Sequence, residues 1–353
     1  MVISRTPYRI SFFGGGTDYP AWYRKHGGAV LSATINKYCY LTCRYMPPFH
    51  EHRIRVAYSR IEQCETIDQI EHPAVREALR FLKIYRCIEI HHAGDLPGRS
   101  GMGSSSAFTV GLLHALHALK GELVSKKQLA REGIHLEQNV LKETVGSQDQ
   151  VSAAFGGLNR IVFKKTGDFD VEPLALSADR LAELNSNLML FYTGIKRTAA
   201  SVASSYATRL EEQAELLNEL RRFVDIGANL LCGRDDIREF GELLDQAWHL
   251  KRQLSKKVSN AEIDALYAEA RAAGAIGGKL LGAGGGGFLL LFVPPQKQRA
   301  VLRRLDRLVH VPVEFESGGS QIIFFDPGED LSRYELRRRV RPVQFRELDK
   351  DCS

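Results

Sequence analysis

The stretch Leu96-Pro97-Gly98-Arg99-Ser100-Gly101-Met102-Gly103-Ser104-Ser105-Ser106 joins a β-type run, residues 87–93, to an apolar helical run, residues 107–119. It therefore predicts a strand, a glycine-rich loop and the start of a helix. Glycines let the backbone approach a ligand closely, and the free N–H groups at the start of a helix favour an anion. The stretch indicates a phosphate-binding loop, with a plain glycine turn and serine cap as the alternative. It is not a Walker A loop, because no Gly-Lys-Ser/Thr follows.

The length and composition are typical of a globular protein with two domains. The chain has 353 residues, of which 44% are hydrophobic and 25% are charged. With no long apolar run and no signal-peptide pattern, we expect a cytoplasmic protein without a membrane segment. The net charge of +6 suits an anionic substrate, and no nucleic-acid-binding motif is present, so we expect no nucleic-acid partner. Scattered cysteines without a CxxC pair predict reduced thiols.

Two further glycine clusters lie towards the two ends of the chain. Residues 14–16 end a predicted strand and are followed by Thr17 and Asp18. At the end of a strand, Asp18 is placed to accept hydrogen bonds from a polyol, although a turn-capping aspartate fits equally well. The cluster at 282–287 is bracketed by apolar runs, which favours a tight folded turn over a flexible linker.

The remaining pattern predicts a mixture of strands and helices in two parts. Residues 28–45 are rich in β-formers and predict a long strand pair. Near residue 185 the chain changes from strand-rich to helix-rich, so we place domains at 1–185 and 186–353. On the helical run after the loop, His114 and His117 are three residues apart; a metal pair is one interpretation, and a position on the helix surface or in the core is the favoured one.

The three glycine clusters, in this order and each beside strands, resemble the GHMP kinase family. The first motif corresponds to residues 7–18, beginning Pro7-Tyr8-Arg9-Ile10, and the phosphate loop corresponds to residues 97–105. The third corresponds to residues 279–287, Lys-Leu-Leu-Gly-Ala-Gly-Gly-Gly-Gly. The resemblance implies an α+β fold of two domains. The N-terminal half would resemble the second domain of ribosomal protein S5, and the C-terminal half a ferredoxin-like fold.

The resemblance also implies phosphoryl transfer from ATP, assisted by Mg²⁺, to a substrate hydroxyl. Asp149 matches the catalytic aspartate in a Gly-x-x-Asp-Gln context, and Arg9 matches the basic residue of the first motif. Ser104 and Glu137 would hold Mg²⁺, with Glu143 as a rival carboxylate. The residues implied in nucleotide binding are Pro97, Gly98, Ser100, Gly101, Met102, Gly103, Ser104, Ser105 and Ser106. Those implied in substrate binding are Gly15, Gly16, Thr17, Asp18 and Gly285, to which Lys196 and Arg197 are added as candidates for a substrate phosphate.

Within the family, residues 7–20 and 27–38 are similar to the sugar 1-kinases that act on D-glycero-D-manno-heptose 7-phosphate. Galactokinase-like members carry a Glu where this chain has Gly15, which argues against galactose as the substrate. The resemblance therefore implies a kinase that binds ATP and a phosphorylated sugar and forms the 1,7-bisphosphate. Another sugar kinase of the family, such as an L-fucokinase, and a non-catalytic sugar and nucleotide sensor are the alternatives. A homo-oligomer is compatible with the sequence.

Overall fold

Two β-sheets, with helices packed against them, form the fold. The computed structural model describes residues 1–47, 52–98, 100–195, 202, 205, 207 and 209–327. The strands are β1 Val2–Phe13, β2 Gly28–Tyr45, β3 Ile54–Ala57, β4 Ile61–Cys64, β5 Ile88–Gly94, β6 Leu158–Phe163, β7 Phe169–Pro173, β8 Leu188–Tyr192, β9 Gly277–Leu280, β10 Phe288–Phe292, β11 Val309–His310 and β12 Gln321–Phe325. The helices are α1 Pro20–His26, α2 Pro73–Phe81, α3 Ser104–Leu119, α4 Lys126–Ile134, α5 Gln148–Phe155, α6 Ala178–Ser186, α7 Ala214–Cys232, α8 Ile237–Gln253, α9 Ala261–Ala272 and α10 Pro295–Arg304.

The long strand β2 organises the first sheet. One half of β2 pairs with β6 and the other half with β5, while its opposite edge pairs with β1. The predicted strand pair over residues 28–45 is wrong, because these residues form one strand of 18 residues. The register against β1 shifts near Asn36, whose backbone N–H donates to Glu314 O at 2.8 Å. The segment therefore bulges at this point instead of turning back on itself.

Helix α3 packs against the first sheet and carries the predicted phosphate loop at its N-terminus. It is apolar on nearly every side, as expected for a buried helix. At Gly111 it approaches the sheet so closely that a Cβ atom would lie 2.7 Å from Thr6 Oγ1. This close packing fixes the start of α3 relative to β1 and its glycine motif.

The second sheet has the strand order β11-β8-β10-β9, and all its neighbouring strands are antiparallel. It begins at β8, just after the predicted domain boundary at residue 185. The last described strand, β12, returns to the first sheet and pairs with β1. The division into 1–185 and 186–353 remains a prediction, and a single cut there would separate β12 from its own sheet.

Aromatic side chains join the two parts of the molecule. Phe12 and Phe13 at the end of β1 pack edge-on against Phe240 of α8, with ring centroids 5.4 and 5.2 Å apart. This contact holds the end of β1, and the glycine motif after it, against the C-terminal helices. Among the described residues, no helix combines the length and the apolar character needed to cross a bilayer.

Candidate active site

The two predicted catalytic residues are in direct contact, although 140 positions separate them in the sequence. Arg9 on β1 donates from Nε to Asp149 Oδ1 at 2.7 Å and from Nη2 to Asp149 Oδ2 at 2.8 Å. The arginine side chain is 5% exposed, whereas that of Asp149, in the first turn of α5, is 24% exposed. This bidentate ion pair fixes the plane of the carboxylate and leaves part of it accessible.

The predicted phosphate loop lies beside this pair. Arg9 donates from Nη1 to Gly101 O at 2.7 Å, and its backbone N–H donates to Met102 O at 3.1 Å. Gly103 has φ +72° and precedes α3, and a Cβ atom built there would lie 3.4 Å from Asp149 Oδ2. The N–H groups at the start of a helix, next to a fixed guanidinium, form an environment that suits phosphate.

Several side chains of the phosphate loop point into the protein and are buried. Ser100, Met102 and Ser106 are buried, and Ser100 Oγ donates to Pro97 O at 2.6 Å. These side chains therefore shape the loop, and contact with a nucleotide would come from its backbone. Gly98, Ser104 and Ser105 also belong to the residues predicted to bind the nucleotide. The nucleotide-binding role of all these residues remains a prediction.

Glu137, the predicted metal ligand, lies on a turn of π-helix over residues 135–140 that continues α4. Its Oε2 accepts from Ser106 Oγ at 2.9 Å and from Gln150, while its Oε1 is buried with no hydrogen-bond partner among the described residues. Burial raises the pKa of Glu137 to about 7. Glu137 thus contacts Ser106, and the alternative ligand Glu143 is exposed. The role of Ser104 and Glu137 in binding Mg²⁺ remains a prediction.

A buried carboxylate oxygen without a partner fits a hard cation such as Mg²⁺, which takes oxygen ligands. In the part of the chain that the structure describes, no three His, Cys, Asp or Glu side chains are grouped so that they could bind a metal ion. The residues present therefore fit a cation that also takes oxygens from a bound nucleotide.

The turn of the first motif is held by its own polar side chains. Thr17 Oγ1 lies 2.8 Å from both Gly14 O and Ala29 O, and is fully buried. Asp18 is 2% exposed; it accepts from Gly16 N at 3.0 Å and from Gln148 Nε2 at 3.0 Å. Burial raises the pKa of Asp18. These bonds give Asp18 a turn-capping role, and its predicted contact with the sugar, like that of Gly15, remains a prediction.

The third glycine cluster closes onto the phosphate loop. A Cβ atom at Gly282 would lie 2.5 Å from Gly101 Cα, and one at Gly287 would lie 2.1 Å from Ser100 O. Gly285, predicted to contact substrate, donates its N–H to Val258 O at 2.9 Å. Only glycine allows two backbones to approach this closely. Lys196 and Arg197, predicted for a substrate phosphate, lie outside the described residues.

Two buried lysines near the site had no predicted role. Lys251 on α8 donates from Nζ to Leu280 O at 3.4 Å and to Gly282 O. Lys279 on β9 donates from Nζ to Phe12 O at 2.7 Å. The sequence carries a signal for Lys251, because it follows Leu244 and Trp248 at helical spacing on the buried side of α8.

Comparison with protein families places both halves of the chain. Residues 72–157 match the family described as GHMP kinases N terminal domain, and residues 228–310 match GHMP kinases C terminal. The first region contains the phosphate loop and Asp149, and the second contains Lys251 and the third glycine cluster.

The individual relatives include sugar kinases and mevalonate kinases. The D-glycero-alpha-D-manno-heptose 7-phosphate kinase of Campylobacter jejuni is 28% identical over 316 residues, which are 86% of this chain and 92% of the relative. A galactokinase of Pyrococcus furiosus is 26% identical, over 84% of this chain and 90% of the relative.

A solved structure of a D-glycero-D-manno-heptose 1-phosphate kinase from Bacteroides thetaiotaomicron is 25% identical, with a TM-score of 0.76. The match covers 92% of this chain and 100% of the chain in the solved structure. The galactokinase of Lactococcus lactis, with a TM-score of 0.70 at 18% identity, shares the fold. These findings confirm the predicted α+β fold with its N- and C-terminal kinase domains.

Proposed function

Because this chain is a member of the GHMP kinase family, we propose that it transfers the γ-phosphoryl group of ATP to the C1 hydroxyl of D-glycero-D-manno-heptose 7-phosphate. The product would be the 1,7-bisphosphate, with ADP released. The observation that carries the proposal is the Arg9–Asp149 ion pair beside the N-terminus of α3.

Each part of this site has a task in the transfer. The exposed part of the Asp149 carboxylate would orient the attacking hydroxyl and accept its proton. The Arg9 guanidinium would keep the carboxylate in place through its two hydrogen bonds and offset negative charge that develops on the transferred group. Glu137 and a serine at the start of α3 would hold Mg²⁺, which neutralises phosphate charge when it is bound. Phosphoryl transfer needs this positioning and charge compensation more than covalent chemistry.

The choice of substrate is supported by the relatives and by one position of the first motif. A relative named for heptose 7-phosphate aligns over most of both chains, and a solved structure named for heptose 1-phosphate has the same fold. Gly15 stands where galactokinase-like members carry a carboxylate, which argues against galactose as the substrate. We therefore favour a phosphorylated heptose over galactose, and an L-fucokinase remains the alternative.

Coupled ADP release with Mg·ATP tests the proposal. The panel contains D-glycero-D-manno-heptose 7-phosphate, the corresponding 1-phosphate, mannose 6-phosphate, L-fucose, galactose and mevalonate. We expect turnover on the 7-phosphate far above the others, and ³¹P NMR of the product should show a new anomeric phosphate. Preferred turnover on a neutral sugar would contradict the substrate, and ATP binding without turnover on any compound would favour a sensor.

A further inference from the structure

The buried ammonium group of Lys251 on α8 lies where the third glycine cluster meets the phosphate loop. Lys251 is 7% exposed, and its Nζ donates to the carbonyl oxygens of Leu280 and Gly282, which belong to β9 and the third glycine cluster. Burying a charged amine is costly unless it is paired or hydrogen-bonded. These two carbonyl contacts are therefore a specific anchor for the loop and not an incidental surface interaction.

The contact continues from this loop to the catalytic pair. Gly282 is pressed against Gly101, since a Cβ atom at Gly282 would lie 2.5 Å from Gly101 Cα. Gly101 O accepts from Arg9 Nη1 at 2.7 Å, and the same guanidinium holds both oxygens of Asp149. A continuous series of contacts thus links Lys251 in the C-terminal half to Asp149 in the N-terminal half.

The charged groups that act on Lys251 come from four other elements. They are Arg9 on β1, Asp18 in the first turn, Asp149 on α5 and Lys279 on β9. Burial, with a smaller effect of Arg9, lowers the pKa of Lys251 to about 8, and the two carboxylates act in the opposite direction. Lys251 therefore carries its charge at neutral pH and loses it at alkaline pH.

We propose that Lys251 is a positioning residue for phosphoryl transfer, which anchors the third glycine loop on the phosphate loop and adds positive charge beside Asp18 and Asp149. This inference rests on the kinase function proposed above. The residue acts through Gly282, Gly101 and Arg9, so its loss changes the geometry of the nucleotide loop as well as the field at the reacting oxygen.

Three variants test this role. Lys251→Met keeps the length of the side chain and removes its charge, whereas Lys251→Arg keeps a charge that does not titrate. Lys257→Met, at an exposed lysine after the same helix, is the matched control. We would measure kcat and KM by ADP release, ATP affinity by calorimetry, melting temperature, and the pH profile of kcat/KM for each protein.

We expect Lys251→Met to lower kcat by about 100-fold, the loss that a small misplacement of reacting groups can cause, and to weaken ATP binding. Lys251→Arg should recover part of kcat. Wild-type kcat/KM should fall above about pH 8 as the amine loses its proton, and that fall should be absent from Lys251→Arg. The Lys257→Met control should match the wild type throughout.

The proposal would be overturned if Lys251→Met had the kcat and the ATP affinity of the wild type. It would also be overturned if kcat/KM of Lys251→Arg fell at alkaline pH in the same way as that of the wild type. If Lys251→Met does not fold, the pH profile of Lys251→Arg decides alone. Should the wild-type protein release no ADP with any sugar, the proposed kinase reaction fails. ATP affinity then still decides about Lys251: a loss in Lys251→Met supports the anchor, and no change overturns it.

Discussion

Asp149, the proposed proton acceptor, is paired with Arg9 and lies beside the start of the phosphate loop at Gly103. Asp149→Asn keeps the size of the side chain and removes the negative charge that would accept the proton. We expect kcat to fall by about 10²- to 10⁴-fold, the range for loss of a general base, with ATP affinity near that of the wild type. Single-turnover kinetics and calorimetry measure the two quantities.

Asp225→Asn is the control for this change, because its carboxylate is 56% exposed and pairs with Arg160 on the surface. It should leave turnover and nucleotide affinity unaltered. Near-normal turnover of Asp149→Asn would show that Asp149 is not the base.

Arg9 and Asp149 could be proposed as the catalytic pair from the sequence because each lies in a motif with a fixed residue order, and the structure brings them into contact across 140 positions. Lys251 could not be given a role in the same way. A lysine on an amphipathic helix is usually solvated, and only the packing of α8 against β9 turns this side chain towards the carbonyls of Leu280 and Gly282. The only indication in the sequence is that Lys251 lies on the apolar side of α8.

At the scale of elements, an ionic contact joins α3 to α4 away from the site. His117 on α3 contacts Glu122 Oε2 at 2.9 Å and Glu132 Oε2, on α4, at 2.7 Å. The hydrogen bond to Glu132, with a smaller effect of Glu122, raises the pKa of His117, whereas burial lowers the pKa of the neighbouring His114 to about 4. His114 instead contacts Ser320 Oγ at 2.9 Å, so the two histidines bind different partners. The ionic contacts of His117 are a feature that the sequence pattern did not predict.

We expect His117→Gln to lower the free energy of unfolding by about 1–3 kcal/mol near pH 6, since it removes a charged hydrogen-bond partner of Glu132, whose side chain is only 15% exposed. A raised pKa means that the folded state holds the proton more tightly. The stabilisation is thus fully present below the ordinary pKa of histidine and is lost as pH rises through the folded value. Urea denaturation at pH 6 and pH 9 measures the difference.

His249→Gln is the matched control, because the His249 side chain is 57% exposed on α8. It should change stability little at either pH. A loss in His117→Gln that is the same at pH 6 and pH 9 would contradict the ionic role and leave only packing.

At the scale of the whole molecule, three glycine clusters from distant parts of the chain meet at one site. The family resemblance, carried by the order of the three motifs along the chain, predicted the α+β fold, whereas their meeting is seen only in the structure. Periodicity alone could not predict that β12 returns to pair with β1, or that β2 is a single strand. Both features are set by tertiary pairing, to which local residue preferences contribute little.

The contact between Gly101 and Gly282 gives the last test, since it joins the two halves of the molecule through their backbones. Gly282 has φ +70°, and a Cβ atom there would lie 2.5 Å from Gly101 Cα. Gly121, after α3, has a similar φ of +75°, but no described atom lies within 4 Å of a Cβ built there. Gly121→Ala therefore carries only the cost of a left-handed backbone, about 1–2 kcal/mol.

Gly282→Ala adds a collision with Gly101, which must separate the third glycine cluster from the phosphate loop. We expect it to lose more stability than Gly121→Ala and to weaken ATP binding by about tenfold or more, equivalent to about 1.4 kcal/mol. Equal losses of stability in both variants, with unchanged ATP affinity, would mean that the nucleotide site does not depend on this contact between the halves.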